Sequence, residues 1–128
     1  MIPDELRYTS DHEWVRELGD GLVRMGVTDH AQQQLGDVVT VQLPSVGDSV
    51  DAGDVLGEIE STKAFSEIYA PLGGEVVAVN EGLTEHPERV NTDPYGEGWM
   101  VTIQLADGQE AIDGLLDATG YAAVTEES

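Results

Sequence analysis

The sequence of 128 residues has no cysteine, one lysine and five basic residues in all. Without cysteine, a disulfide framework, thiolate catalysis and zinc–thiolate ligation are excluded. Five bases against 26 acids give a formal charge of -21. That argues against nucleic-acid binding, because phosphates are neutralised by Lys and Arg. It also argues against anionic membrane surfaces, and no apolar run approaches the length of a bilayer crossing. The start, Met1-Ile2-Pro3-Asp4-Glu5, has neither the pattern of a signal peptide nor the arginines of a transit peptide; the expected location is the cytoplasm. The acids are dispersed and 40% of residues are hydrophobic, which predicts a folded chain rather than disorder. Dispersed acid with scarce lysine points to a halophilic prokaryote. At ~1 M salt the Debye length falls to ~3 Å, so repulsion among the acids is largely screened.

What the chain does have is organised around its one lysine, Lys63, in Glu58-Ile59-Glu60-Ser61-Thr62-Lys63-Ala64-Phe65-Ser66-Glu67-Ile68-Tyr69. Val55, Gly57 and Ile59 alternate with Leu56, Glu58 and Glu60, the period-2 pattern of a half-buried strand. Ser66 to Ala70 reads as a second strand, ending at Pro71. Ser61-Thr62-Lys63-Ala64 between them has room only for a tight reversal, so the amine stands at an exposed hairpin tip. A Schiff-base nucleophile needs a lysine with a lowered pKa, whereas Glu60 and Glu67 favour the charged form. One lysine in an acidic surface is no binding patch. An acylation site fits best; a lysine-nucleophile enzyme and a purely structural acidic module are the alternatives.

Along the rest of the chain, strands are expected at His12–Arg16 and Leu22–Thr28. A short helix through Ala31–Leu35 is capped by Thr28 or Asp29 and stopped at Gly36. Val39, Val41 and Leu43 alternate along the next strand. From Pro44 to Gly57 the single valines and turn glycines describe a chain wrapping around a small barrel. Asp48, Asp51 and Asp54 lack the spacing of a calcium loop and read as turn residues. Gly73 to Asn80 echoes Gly36 to Val41, and the two Gly-acid-Val-Val units bracket the lysine hairpin. This predicts two quasi-equivalent halves packed face to face. Pro87 opens one helical turn. Trp99, Val101, Ile103 and Leu105 form the clearest strand, and Trp14 and Trp99 read as core residues. A helical segment over about 108–124 presents Ala111, Ile112, Leu115 and Leu116 on one face, with a break at Gly120. His12, His30 and His86 lie on separate segments without metal-ligand spacing. Length predicts one domain, 1–128, with a core over about 6–105.

With these pieces placed, the sequence resembles the H proteins of the glycine cleavage system, from about Leu6 to Tyr121. The likeness rests on His12-Glu13-Trp14-Val15, Gly26-Val27-Thr28-Asp29-His30-Ala31-Gln32 and Leu35-Gly36-Asp37-Val38-Val39. It continues in Glu58 to Ala64, in Gly74 to Asn80, and in Asn91-Thr92-Asp93-Pro94-Tyr95-Gly96-Glu97-Gly98-Trp99-Met100. The resemblance implies a mainly β barrel-sandwich hybrid like that of lipoyl and biotinyl domains, with short helices and a C-terminal helical segment. It implies lipoate in amide linkage to Lys63 on a carrier that is not itself an enzyme. Its partners would be a pyridoxal phosphate-dependent glycine decarboxylase, a tetrahydrofolate-dependent aminomethyltransferase and a dihydrolipoamide dehydrogenase. A lipoate ligase or an octanoyl/lipoyl transferase would attach the arm, reading Glu60 and Gly74. The arm would dock in a cleft lined by Asp11, Glu13 and Glu67, with His30 either lining that cleft or capping its helix. The family usually has Ser at the place of Asp11, Asp at that of Glu67 and a small residue at that of Phe65. Relay of lipoyl groups to other carriers is a further role the resemblance leaves open.

Overall fold

The computed structural model describes residues 3–106 and 112–127. Two antiparallel sheets face each other. The larger one joins β1 (Arg7–Tyr8), β2 (Glu13–Gly19), β3 (Leu22–Val27), β9 (Val101–Leu105), β8 (Gly74–Val79) and β5 (Ser49–Val50), in that order. The smaller one holds β4 (Val38–Gln42), β6 (Val55–Ser61) and β7 (Phe65–Tyr69), ordered β4-β6-β7. The main core lies between them, where Val23, Met25, Val76 and Ile103 of the large sheet meet Val41, Leu56, Ile59 and Ile68 of the small one.

The echo between the halves extends to their irregularities. β4 and β8 lie in different sheets, and each breaks register one residue after its first valine, between Val38 and Thr40 and between Val76 and Ala78. In both, the residue inside the bulge, Val39 or Val77, is exposed while Val38 and Val76 are buried. A bulge inserts one residue and reverses the faces beyond it. The simple alternation of Val39 with Val41 is therefore overturned: Val38 and Val41 share the core. A third register shift, between Val55 and Gly57, likewise buries Leu56 and leaves Val55 exposed.

Thr28 caps α1 (Asp29–Leu35) by accepting the Ala31 N–H, and Gly36 ends it at φ 78°. Two one-turn helices, α2 (Gly82–Glu85) and α3 (Arg89–Thr92), flank Pro87. The Asp48 carboxylate accepts the Ser45 N–H and that of Asp54 accepts the Asp51 N–H, so both serve their turns.

The tail departs from expectation. The helix there, α4, runs Ala118–Glu127 through Gly120 rather than breaking at it. Ahead of it Leu116 pairs with Tyr8 as an isolated bridge, and Ile112 and Leu115 belong to the main core while Leu116 joins a second one; Ala111 lies outside the described residues. That second core is Leu6, Tyr8, Trp14 and Tyr121, with Tyr8 and Tyr121 stacked at 4.6 Å. Trp14 is fully buried, as expected; Trp99 is only half-buried, its ring covered by the Arg24 guanidinium at 4.3 Å. No helix among the described residues is long and apolar enough to cross a membrane.

Candidate functional site

The reversal after β6 is tied down at every residue except its amine. Ser61 donates its hydroxyl to Leu35 O at 2.6 Å and accepts the N–H groups of Lys63 and Ala64. The Thr62 N–H reaches Asp37 O, and that of Ser61 closes the turn onto Ala64 O. One small hydroxyl thus joins the hairpin to the end of α1. The Lys63 side chain is exposed and its stem lies over Gly36: a Cβ there would stand 2.9 Å from Lys63 Cε, and φ 78° already disfavours any side chain. The turn at Gly36 is braced in its own right. Asn91 donates to Gly36 O and Gln32 Oε1 and accepts the Val38 N–H. Four residues on, the Tyr95 hydroxyl accepts the Asp29 N–H, and Trp14 donates to Pro94 O. The segment 91–95, from the end of α3 onward, is a buttress for α1 and, through Gly36, for the hairpin that carries Lys63.

Beside the tip opens a cleft of about 340 Å³ between α1, the start of β2 and the edge of β7. Ala64 borders it on the hairpin side, and Asp11, Glu13, His30 and Glu67 all line it. Residues from three separate segments are thus brought together, and His30 lines the cleft while Thr28 caps the helix. Glu13 is 2% exposed. Its carboxylate accepts the Tyr69 N–H at 2.7 Å and the Thr9 hydroxyl at 3.2 Å, tying the edge of the small sheet to the large one. Burial pushes its pKa up to about 8, with the Asp11 charge adding and the two hydrogen bonds opposing. Burial thus favours the protonated form of Glu13 at neutral pH while the cleft is open.

A second set of groups at this cleft escaped the sequence reading. His12, held at φ 67°, also lines it, with its ring centroid 4.6 Å from that of His30. Of the three histidines on separate segments, His12 and His30 are thus neighbours in space while His86 contacts Glu88, and no group of three or more His, Cys, Asp or Glu among the described residues could hold a metal. His12 Nδ1 lies 2.8 Å from the Tyr121 hydroxyl, which lies 2.7 Å from Thr28 Oγ1. Burial, then the His30 charge, lowers the His12 pKa against the opposing pull of Asp11. The C-terminal helix, through Tyr121, reaches into the wall of the cleft.

Glu60 and Gly74 are not part of it. Glu60 pairs with Thr40 on one side and Phe65 on the other, so it faces outward on the small sheet. Gly74 lies in the large sheet, paired with Val50 and Leu105, where a Cβ would collide with Gln104 O. Close backbone approach is reason enough for a glycine there. Ser61, Asn91 and Tyr121 carried no signal in isolation: a serine, an asparagine and a tyrosine acquire these roles only through their partners.

The geometry has its counterpart in known proteins. A family model described as "Glycine cleavage H-protein" matches residues 6–128. A glycine cleavage system H protein of Mycolicibacterium smegmatis is 58% identical over 128 residues, covering 98% of both chains. One of Chromohalobacter salexigens is 55% identical over 123 residues, covering 96% of this chain and 93% of its own. The crystal structure of a glycine cleavage system H protein from Mycobacterium marinum superposes with a TM-score of 0.86 at 44% identity, covering 95% of this chain and 97% of that one.

Proposed function

The chain belongs to the glycine cleavage H-protein family, and on that premise we propose how its residues divide the work. Members of this family are lipoyl-bearing, non-catalytic carriers. They move the aminomethyl group of glycine from glycine decarboxylase to aminomethyltransferase, and dihydrolipoamide dehydrogenase restores the arm. The arm is a lipoyl group on a lysine, and this chain has one lysine, Lys63. The residues fit such a group: an exposed amine on a braced hairpin, with a cleft next to it and a buried acid in that cleft. The lipoyl disulfide would supply the sulfur that holds the aminomethyl cargo, its S–S bond opening as the cargo is taken up.

Lys63 provides the amide nitrogen. Ser61, Gly36 and Asn91 fix the direction in which the arm leaves. The cleft withdraws the cargo from water, and Glu13, Glu67 and Asp11 hold the proton on the cargo's amine. An exposed Lys63 whose chain neighbour Ala64 borders the cleft that also holds buried Glu13 is the observation that carries the reading. Glu13 is neutral while the cleft is open, so an entering ammonium displaces its proton, because an opposite charge in contact favours the carboxylate. Docking then releases a proton and strengthens as pH rises toward 8. Glu60 contributes to recognition by the lipoate ligase or octanoyl/lipoyl transferase. Gly74 supports that step by preserving the sheet.

The test is amide NMR of the lipoylated carrier before and after loading. The Tyr69 N–H donates to Glu13, so its resonance should shift strongly when the cleft fills, with those of His12 and His30. Shifts confined to residues 61–65 would place the cargo outside the cleft.

The chain serves as one lipoyl-carrier domain in the cytoplasm, and its -21 charge suits high salt. Its melting temperature should rise from ~0.1 to ~3 M KCl as repulsion among the acids is screened. A flat series would remove the halophilic reading.

A further inference from the structure

The chain's one phenylalanine, Phe65, is 61% exposed two residues beyond Lys63. Its neighbours Ala64, Ser66 and Glu67 line the cleft, and Phe65 does not. In the register of the small sheet it stands beside Glu60, which in turn stands beside Thr40. On the outward face Phe65 and Glu60 form the row next to the turn and Glu67 and Glu58 the row behind it, so the unburied ring stands at the tip while Glu67, one row back, borders the cleft. Acids border that ring, Glu60 across the strand and the Glu58–Glu67 pair in the next outward row.

Two kinds of enzyme meet this hairpin, and they need different parts of it. Those that load, unload or reoxidise the arm act at the far end of the acyl chain and meet the cleft. The enzyme that attaches the arm must bring an activated acyl donor to Lys63 Nζ itself. There the amine, its proton given up to a base or solvent, attacks the acyl carbonyl; the C–N bond forms and the bond to the donor's leaving group breaks. That enzyme must cover the tip, and Phe65 stands in the row next to it. Building on the carrier reading, we infer that Phe65 is the apolar anchor by which the acyl-attaching enzyme grips the hairpin, in a pocket rimmed by basic groups that meet Glu58 and Glu60. Covering a mostly exposed aromatic ring is a large apolar gain for one residue, and aromatic anchors ringed by polar contacts are the usual energetic centre of an interface.

The experiment follows attachment of lipoate to Lys63 by the lipoate-attaching enzyme of the same cell, using intact mass against time. It compares wild type, Phe65→Leu, Phe65→Ala and Phe65→Glu. Phe65→Ala should lower kcat/KM for attachment about tenfold, mainly through KM; Phe65→Glu should lower it further and Phe65→Leu should retain most of it. Once each carrier is fully lipoylated, its reoxidation by dihydrolipoamide dehydrogenase should match wild type. Melting temperatures should also match, since the ring is outside the core. Unchanged attachment kinetics in Phe65→Ala and Phe65→Glu would overturn the inference. So would an equal loss in attachment and reoxidation, because the ring would then serve every partner. A wild-type chain that gains no lipoyl mass would instead defeat the carrier reading beneath it.

Discussion

Replacing Glu13 with Gln will shorten the lifetime of the loaded carrier by about tenfold to a thousandfold. An amine on the same carbon as a sulfur is fragile, because its free lone pair can push the sulfur out. A proton on the nitrogen occupies that pair. A carboxylate in contact raises an amine's pKa by ~1–3 units, and each unit is tenfold less free amine. Distant acids cannot help in concentrated salt, where the screening length is only ~3 Å at 1 M. The effect is therefore assigned to the cleft rather than to the acidic surface. Gln keeps the acceptor for the Tyr69 N–H and removes the charge. Release of ammonia and formaldehyde from purified loaded carrier reads the lifetime; equal rates in wild type and Glu13→Gln would mean that Glu13 does not guard the cargo.

The same substitution should change how stability depends on pH. Glu13 titrates near 4.5 in the unfolded chain and at about 8 in the folded one. Between those values the folded state keeps a proton that the unfolded state has lost. Stability from this source is full below pH 4.5, declines as pH rises, and is gone above about 8. At ~1.4 kcal/mol per unit, the total is of order 3–5 kcal/mol, a large share of the usual margin for a small domain. Gln cannot titrate, so Glu13→Gln should gain on wild type by ~3 kcal/mol or more between pH 5 and 8 in urea unfolding. Other acids and histidines are common to both proteins and cancel in the difference. Parallel curves would show that Glu13 is not held protonated. Both expectations have one cause: a carboxyl buried at a cost in the open cleft is ready for a cation.

The legible parts of this fold were those where pattern and structure share a period. The strands of β9 and the lysine hairpin follow from alternation, and α1 from its cap and its terminal glycine. The duplication of Gly36 to Val41 in Gly73 to Asn80 foretold opposed halves. Bulges defeated the finer reading, since a one-residue insertion at Val39 or Val77 reverses which valine points inward without changing composition. The tail was misread because Ile112 and Leu115 on one hand, and Leu116 and Tyr121 on the other, serve two different cores. A single helical face cannot represent that split. At the site, Lys63 was legible from scarcity, and the carboxylates came through the resemblance. The protonated state of Glu13 was not accessible, because it depends on burial between two sheets that meet only in the folded chain. His12 beside His30, with Tyr121 behind them, is likewise a product of packing between segments at opposite ends of the sequence.

The central claim is that Lys63 carries a lipoyl arm which accepts the aminomethyl group of glycine. Peptide mass spectrometry after each step tests it most directly: co-expression with a lipoate ligase, isolation of the carrier with its lipoyl disulfide intact, then glycine with glycine decarboxylase. The account predicts a lipoyl amide on the Lys63 peptide and a further mass gain of one aminomethyl group there, removed by aminomethyltransferase with tetrahydrofolate. Neither should occur in Lys63→Arg. A lipoyl amide that persists in Lys63→Arg, or a fully lipoylated carrier that gains nothing from glycine, would contradict it.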